Sequence, residues 1–199
     1  MSIQFKNTSM ERLLIDTSER SRWMATTANN PIVYTHLYHG EVYDARRAPF
    51  NASLWAPATT YDWNANQQKG IGSVQVSTFP DISVGEEIKP VTVTQISTND
   101  RDVYVFDLGK NIAGVTRLSG LKKLAEGTKL VLRHSEILNK DGTVQNTYCS
   151  WPCICKGQPD GGNCANQTDV FIAGDQRHAT NTWEPLHTYH GFRYVQLEG

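Results

Sequence analysis

Short runs of β-branched and aromatic residues, each closed by a turn signal, constrain this chain more than any other feature. Val91-Thr-Val-Thr-Gln-Ile96, Val103-Tyr-Val-Phe106, Thr128-Lys-Leu-Val-Leu-Arg133 and Phe192-Arg-Tyr-Val-Gln-Leu197 partly alternate, which is the pattern of half-buried strands. Between them lie Asp107-Leu-Gly109, Ala113-Gly114, Glu126-Gly127, Asn139-Lys-Asp-Gly142 and Ala173-Gly-Asp175. Such residues favour tight turns through positive φ or through side-chain hydrogen bonds to the backbone. Glu136-Ile-Leu138 and Thr143-Val-Gln145 read as the arms of a hairpin about Asp141-Gly142. The helical candidates, Met10–Ile15 and Leu118–Ala125, are too short to define a helical architecture. The expected fold is all-β, with the strand spacing of a sandwich.

The rhythm breaks at Gly85-Glu-Glu-Ile-Lys-Pro90, where charge and proline interrupt it. The preceding segment is irregular and aromatic, whereas the following one is regular. A chain of 199 residues can bury two cores, so two units are expected, 1–88 and 89–199. Nineteen Lys and Arg against twenty Asp and Glu give a net charge of -1 with no basic run. That balance provides no footprint for a phosphate backbone and argues against nucleic acid as a partner. No apolar stretch nears the roughly 20 residues of a spanning helix, so the chain is not expected to cross a membrane.

The four cysteines, Cys149, Cys153, Cys155 and Cys164, crowd one window that contains no C-x2-C pair and no histidine. That spacing disfavours a zinc knuckle and favours two local disulfides, with three pairings open. The turn-forming run Lys156-Gly-Gln-Pro-Asp-Gly-Gly-Asn163 cannot hold itself by apolar packing. Asn7, Asn51 and Asn166 each begin a glycosylation acceptor triplet. Disulfides and glycosylation together point to an oxidising, extracellular compartment. The first residues have no basic region followed by an apolar one, so the chain is expected to be secreted with its leader removed.

The densest polar and aromatic cluster is Tyr38-His-Gly-Glu-Val-Tyr-Asp-Ala-Arg46. In an extended conformation Glu41, Tyr43 and Ala45 share one face, and Val42, Asp44 and Arg46 the other. Asp44 and Arg46 can form a charge-assisted pair. A carboxylate, a guanidinium and a ring suit sugar hydroxyls and a C–H face, and they equally suit a buried tie between strands. Trp55, with Tyr61 and Trp63, is a second aromatic platform. His134 and Glu136 would share a strand face, with His187 and His190 as neighbours across a sheet. No pair of carboxylates can be nominated for glycoside hydrolysis. The sequence also contains no nucleophile elbow, phosphate loop or His-Glu-x-x-His helix. No catalytic constellation is legible.

The segment Pro31–Arg46, with its Gly40-Glu-Val-Tyr-Asp-Ala-Arg46 core, resembles a segment of bacterial-type α-L-rhamnosidases. The resemblance continues through Val103–Gly114, Leu132–Leu138 with Asp141-Gly142, Thr168-Asp169, Trp183-Glu-Pro185 and Thr188–Val195. It implies two sandwiches, a jelly-roll-like unit related in some members to a calcium-dependent rhamnose-binding module, and a concanavalin-like unit. The family's acid and base carboxylates lie in an (α/α)6 barrel, so the resemblance carries no catalytic residue over and implies a non-catalytic chain. His36-Leu37-Tyr38 replaces a possible calcium carboxylate, and the cysteine window looks like an insertion. The resemblance implies recognition of a glycan containing L-rhamnose, with calcium as the cofactor to consider. Glu41, Asp44 and Arg46 would hold hydroxyls, while Tyr43 or Trp55 would stack. The alternative is a structural block that supports a catalytic domain of a parent chain or assembles with itself.

Overall fold

The structure is a computed structural model that describes residues 2–6, 12–16, 23–47, 52–59, 78–80, 82–97, 102–145, 148–149, 164–175 and 180–199. The strands are β1 (Ser2–Lys6), β2 (Arg12–Asp16), β3 (Met24–Ala25), β4 (Ile32–His36), β5 (Gly40–Asp44), β6 (Ala56–Pro57), β7 (Thr92–Ser97) and β8 (Asp102–Gly114). There follow β9 (Leu118–Ser119), β10 (Lys129–Ser135), β11 (Tyr148–Cys149), β12 (Cys164–Ala165), β13 (Thr168–Ile172), β14 (Thr182–Trp183) and β15 (His190–Glu198). Among the described residues there is no α-helix, only single 3-10 turns at Ala52–Leu54 and Leu121–Lys123. The two helical candidates resolve accordingly, Arg12–Asp16 as strand and Leu118–Lys123 as a short strand followed by a 3-10 turn.

Two compact units form, Met1–Ala28 with Phe50–Ser83, and Asn29–Pro49 with Val84–Gly199. In the first, β1 pairs antiparallel with β2 and β3 with β6. The second holds a seven-stranded sheet in the order β4-β5-β13-β10-β15-β8-β7. Every pairing in that sheet is antiparallel except β5 with β13. These units differ from the expected 1–88 and 89–199 chiefly in that Asn29–Pro49 sits with the C-terminal unit, whose main segment begins at Val84. The reason is the parallel register of Val42, Tyr43 and Asp44 with Val170, Phe171 and Ile172.

The sheet buries residues on both faces. On one, Leu132, Phe171, Phe192 and Val195 form the main core with Leu108, Leu121, Ala173 and Trp183. On the other, Val103 and Val105 pack with Val144, Ile96 and Tyr194. Val144 belongs to the expected hairpin, whose arms meet at the Leu138–Val144 bridge. The Val144 N–H donates to Gln196 Oε1 at 2.9 Å and ties the hairpin to β15. The expected turn at Asp107-Leu-Gly109 is instead an irregularity within the long strand β8. There Gly109 has φ 75° and donates its N–H to Asp107 Oδ1 at 2.7 Å. The carboxylate of Asp107 also takes a bidentate pair from Arg193, which lies where β8 and β15 change register.

Leu132 is 1% exposed at the centre of the sheet, whereas Val93 on the edge strand β7 is 54% exposed. Leu132→Ala should cost about 2–5 kcal/mol of unfolding free energy through lost burial and a residual cavity. Val93→Ala should stay within about 0.5 kcal/mol, as surface substitutions do. Denaturant melts of the two variants compare them directly.

Candidate functional site

Three neighbouring strands each place a polar residue two positions from an apolar core residue, and therefore on the same face. The pairs are His134 with Leu132 on β10, Asp169 with Phe171 on β13, and His190 with Phe192 on β15. The result is a buried polar cluster that continues the apolar core. His134 and Asp169 are 0% exposed and His190 is 1% exposed. The two imidazole rings stack with centroids 4.3 Å apart, and the edge of Phe192 meets His134.

Hydrogen bonding fixes the protons. His134 Nδ1 lies 3.0 Å from the Gln167 carbonyl oxygen. A carbonyl oxygen only accepts, so Nδ1 carries the hydrogen. His134 Nε2 then receives the Thr116 hydroxyl at 2.9 Å. Burial, helped by the neighbouring His190, pushes the His134 pKa down to about 4, so the ring is neutral near pH 7. His190 Nε2 donates to Asp169 Oδ2 at 3.1 Å, while Asp169 Oδ1 accepts the Glu41 N–H at 2.9 Å.

Glu41 enters the cluster from β5. Its side chain is fully buried, and its Oε2 accepts the N–H groups of Leu186 and His187, each at 3.2 Å. Desolvation raises its pKa, and those two backbone donors oppose the shift. The strand approaches this closely because Gly40 has no side chain. Its φ is 112°, and a Cβ there would lie 2.1 Å from the Thr168 carbonyl oxygen. The Gln167 and Thr168 N–H groups donate to Tyr38 and His39 carbonyl oxygens and fasten the same seam.

The residues expected to bind sugar separate in this structure. The Tyr43 ring packs beside Phe171 and Trp183, with centroids 6.0 and 5.9 Å away. Asp44 is buried and receives Arg46 Nε at 2.9 Å and Nη2 at 2.8 Å, the expected charge-assisted pair. Arg46 itself is half-exposed. Trp55 is half-buried in the other unit, and Tyr61 and Trp63 lie outside the described residues.

His190 reaches His134 as expected, but Glu136 does not. β10 ends at Ser135, and the exposed Glu136 accepts from Asn111 instead. His187 is also exposed and reaches Glu41 with its backbone N–H. Asn166 is exposed; Asn7 and Asn51 lie outside the described residues. Cys149 and Cys164 face one another in the backbone register of β11 and β12. Cys153 and Cys155 lie outside the described residues.

Sequence reasoning passed over Thr116, Gln167 and the role of Asp169. For Asp169 a signal existed, a carboxylate at an inward position of the otherwise apolar strand Thr168-Asp-Val-Phe-Ile172. Chemically, this cluster can hold protons or an ion, but it cannot act as general acid or base on a substrate it never meets. Such a group must come within hydrogen-bond reach of the reacting atom.

The hydrogen bonds from Arg46 hold the Asp44 carboxyl below its ordinary range. A depressed folded-state pKa contributes stability that is present above the unfolded value and lost as pH falls through the folded one. Asp44→Asn should therefore cost about 1–2 kcal/mol at pH 7, since one partner is half-exposed. The gap to the wild-type protein should close as pH drops below the ordinary Asp value, which urea melts across that range would register.

Residues 97–199, more than half of the chain, match the family model described as the bacterial alpha-L-rhamnosidase concanavalin-like domain. An alpha-L-rhamnosidase of Streptomyces avermitilis is 31% identical over 186 residues, covering 89% of this chain and 15% of that protein. One from Formosa agariphila is 31% identical over 179 residues, covering 89% of this chain and 17% of that protein. This chain thus spans about a sixth of the length of these relatives. Among solved structures, the Streptomyces avermitilis alpha-L-rhamnosidase complexed with L-rhamnose aligns with a TM-score of 0.69 at 26% identity. That alignment covers 98% of this chain and 17% of that one. The alpha-L-rhamnosidase from Dictyoglumus thermophilum gives 0.67 at 26% identity over 100% of this chain and 20% of its own. With its seven-stranded sheet and a family match over more than half of its length, the chain belongs to the bacterial alpha-L-rhamnosidase concanavalin-like domain family.

Proposed function

We propose that this chain is a non-catalytic accessory β-sandwich of a rhamnosidase-type protein, and that its role is structural support for a catalytic domain. The observation that carries this reading is the burial of Glu41, Asp44, His134, Asp169 and His190. The polar residues that a rhamnoside would need to meet are engaged inside the sheet instead. Glu41 holds the 186–187 backbone, and Asp169 holds β5 against β13. The matched region is a small part of each relative, which supports a module whose chemistry resides elsewhere.

A second reading, recognition of a rhamnose-containing glycan, is favoured by one observation. Arg46 is half-exposed and its guanidinium is held in a fixed plane by Asp44. Such a group is suited to paired hydroxyls, and a calcium ion taking part would need oxygen ligands around it.

Calorimetry of the pure chain with L-rhamnose, in calcium and then in chelator, separates the two readings. Support predicts no heat under either condition and no release of product from an aryl rhamnoside. A calcium-dependent isotherm that Arg46→Ala abolishes would put glycan recognition first, and hydrolysis by the pure chain would overturn both.

The facing positions of Cys149 and Cys164 also support a disulfide between them, and with it a secreted protein. Mass spectrometry of a non-reduced digest should recover the two cysteines in one cross-linked pair. Free thiols at both positions in protein from an oxidising host would defeat that assignment.

A further inference from the structure

We propose that the seam between β5 and β13 is a pH-sensitive latch built on two histidine pairs. It is closed while they are neutral and opens when they take up protons, freeing the β4–β5 hairpin from the large sheet. One pair, exposed His36 and half-buried His39, flanks the turn that joins β4 to β5, with ring centroids 4.4 Å apart. The other is the buried pair His134 and His190, with centroids 4.3 Å apart. Histidine is the side chain that ordinarily changes charge roughly between pH 5 and 8.

The hydrogen bonds of both pairs require a bare ring nitrogen. His36 Nδ1 accepts the Tyr38 N–H at 3.2 Å, and His39 Nδ1 accepts the Asn166 N–H at 3.3 Å. The second of these crosses from the hairpin to the residues that lead into β13. An imidazolium carries hydrogen on both nitrogens, so each contact becomes one N–H facing another. Within a pair, two such charges also repel. His134 Nε2 accepts the Thr116 hydroxyl, and a proton there must turn that hydroxyl's hydrogen away inside the core.

The two pairs meet at Gln167. Its carbonyl oxygen accepts from His134 Nδ1, and its side-chain oxygen accepts the Gly191 N–H next to His190. Its own N–H donates to the Tyr38 carbonyl oxygen, and its neighbour Asn166 is the donor to His39. Gln167 has φ 42°, a left-handed conformation that a residue with a side chain keeps only when its surroundings impose it. These bonds impose it here. Protonating the histidines loosens them, and with them the entry to β13.

Few other groups carry charge nearby. Residues 31–40 and 185–192 contain no Asp, Glu, Lys or Arg. Around the rings stand Asp169 from β13, Glu41 from β5, Glu136 beside Gly191, His187 before β15 and Tyr38 on the turn. Burial and the neighbouring His190 hold the His134 pKa at about 4, and Asp169 opposes that shift. A histidine held below its ordinary value of about 6.5 contributes stability that is present above that value and lost as pH falls toward the folded one. Glu41, raised by desolvation, acts in the opposite sense and adds stability on acidification. The loss therefore begins in the histidine range, before ordinary carboxylates take up protons.

Amide hydrogen exchange of the full chain tests the latch, read by mass spectrometry and corrected for the intrinsic rate at each pH. Between about pH 7.5 and about pH 5, peptides spanning 32–44 and 166–172 should lose protection about tenfold, while those of β8 and β15 keep theirs. The double variant His36→Asn, His39→Asn places an amide oxygen where each Nδ1 stood and cannot take up a proton. Its hairpin should stay protected at the lower pH. The proposal is overturned if wild-type exchange at 32–44 and 166–172 is the same at both pH values, or if β8 and β15 lose protection in step with them. It is equally overturned if the double variant opens as the wild type does. The wild-type readings decide the matter even where the variant fails to fold.

Discussion

The parallel seam between β5 and β13 governs the rest of the second unit. Antiparallel neighbours can be joined by a short turn, but a parallel pair requires a long excursion of the chain. Here Asp44 and Thr168 are separated by the whole run from β6 to β12. The seam closes only because Gly40 lets the chain pass against the Thr168 carbonyl, and because Asp169 accepts the Glu41 N–H. A Cβ at position 40 would collide with backbone, which cannot swing aside as the end of a flexible side chain can. β4 pairs with β5 across the short turn at 37–39, and the seam joins that hairpin, and with it Asn29–Pro49, to the large sheet. Contacts of such long sequence separation make for slow folding, since their loop entropy must be met first.

That seam also explains why polar residues stand in the core. Burial of a carboxylate is costly unless hydrogen bonds to its charged form compensate for lost water. Glu41 receives two backbone donors, and Asp169 receives one backbone donor and one imidazole. Each of these bonds joins segments distant in sequence. A core made only of leucine and valine would bury as well, yet would not specify which strand lies beside β13. Buried polar groups that must find named partners penalise a slipped register, because every unpaired one costs about 1–3 kcal/mol. The stacked imidazoles extend the same logic to β10 and β15, whose alternating faces bring His134 and His190 together.

Much of this was legible in the sequence, and the limits have physical causes. The strands at 92–97, 129–135 and 190–198 follow from alternation and β-branched content, which are local properties. The hairpin at 137–145 follows from Asp141-Gly142, also local. The pairing of Asp44 with Arg46 was readable because two residues of opposite charge sit two positions apart on an extended strand. What escaped was everything that depends on pairing order. The Gly40–Arg46 segment reads equally as a sugar site and as a buried tie between strands until β13 is placed beside it. The break near residue 85 is real in composition, yet composition does not reveal that an earlier segment crosses into the later unit. Asp107-Leu-Gly109 carries turn chemistry and is used for an irregularity inside β8, because β15 continues alongside and holds both ends.

The same distinction separates the two candidate roles of the Gly40–Arg46 motif. A carboxylate that serves a ligand must keep some of its hydrogen-bonding capacity for that ligand, and must remain within reach of solvent. Glu41 fails the second condition, since it is fully buried: two backbone N–H groups converge on one of its oxygens, and the other, though unpaired, is shut away from solvent. Asp44 is spent on Arg46 through both oxygens. Tyr43 contributes its ring to the apolar side of the sheet. Only Arg46 combines a fixed orientation with exposure. A motif rich in groups suited to sugars is therefore, in this fold, largely the means by which one strand is held beside another. The residue types that recognise a hydroxyl are the same ones that recognise a backbone amide, and burial decides which of the two they meet.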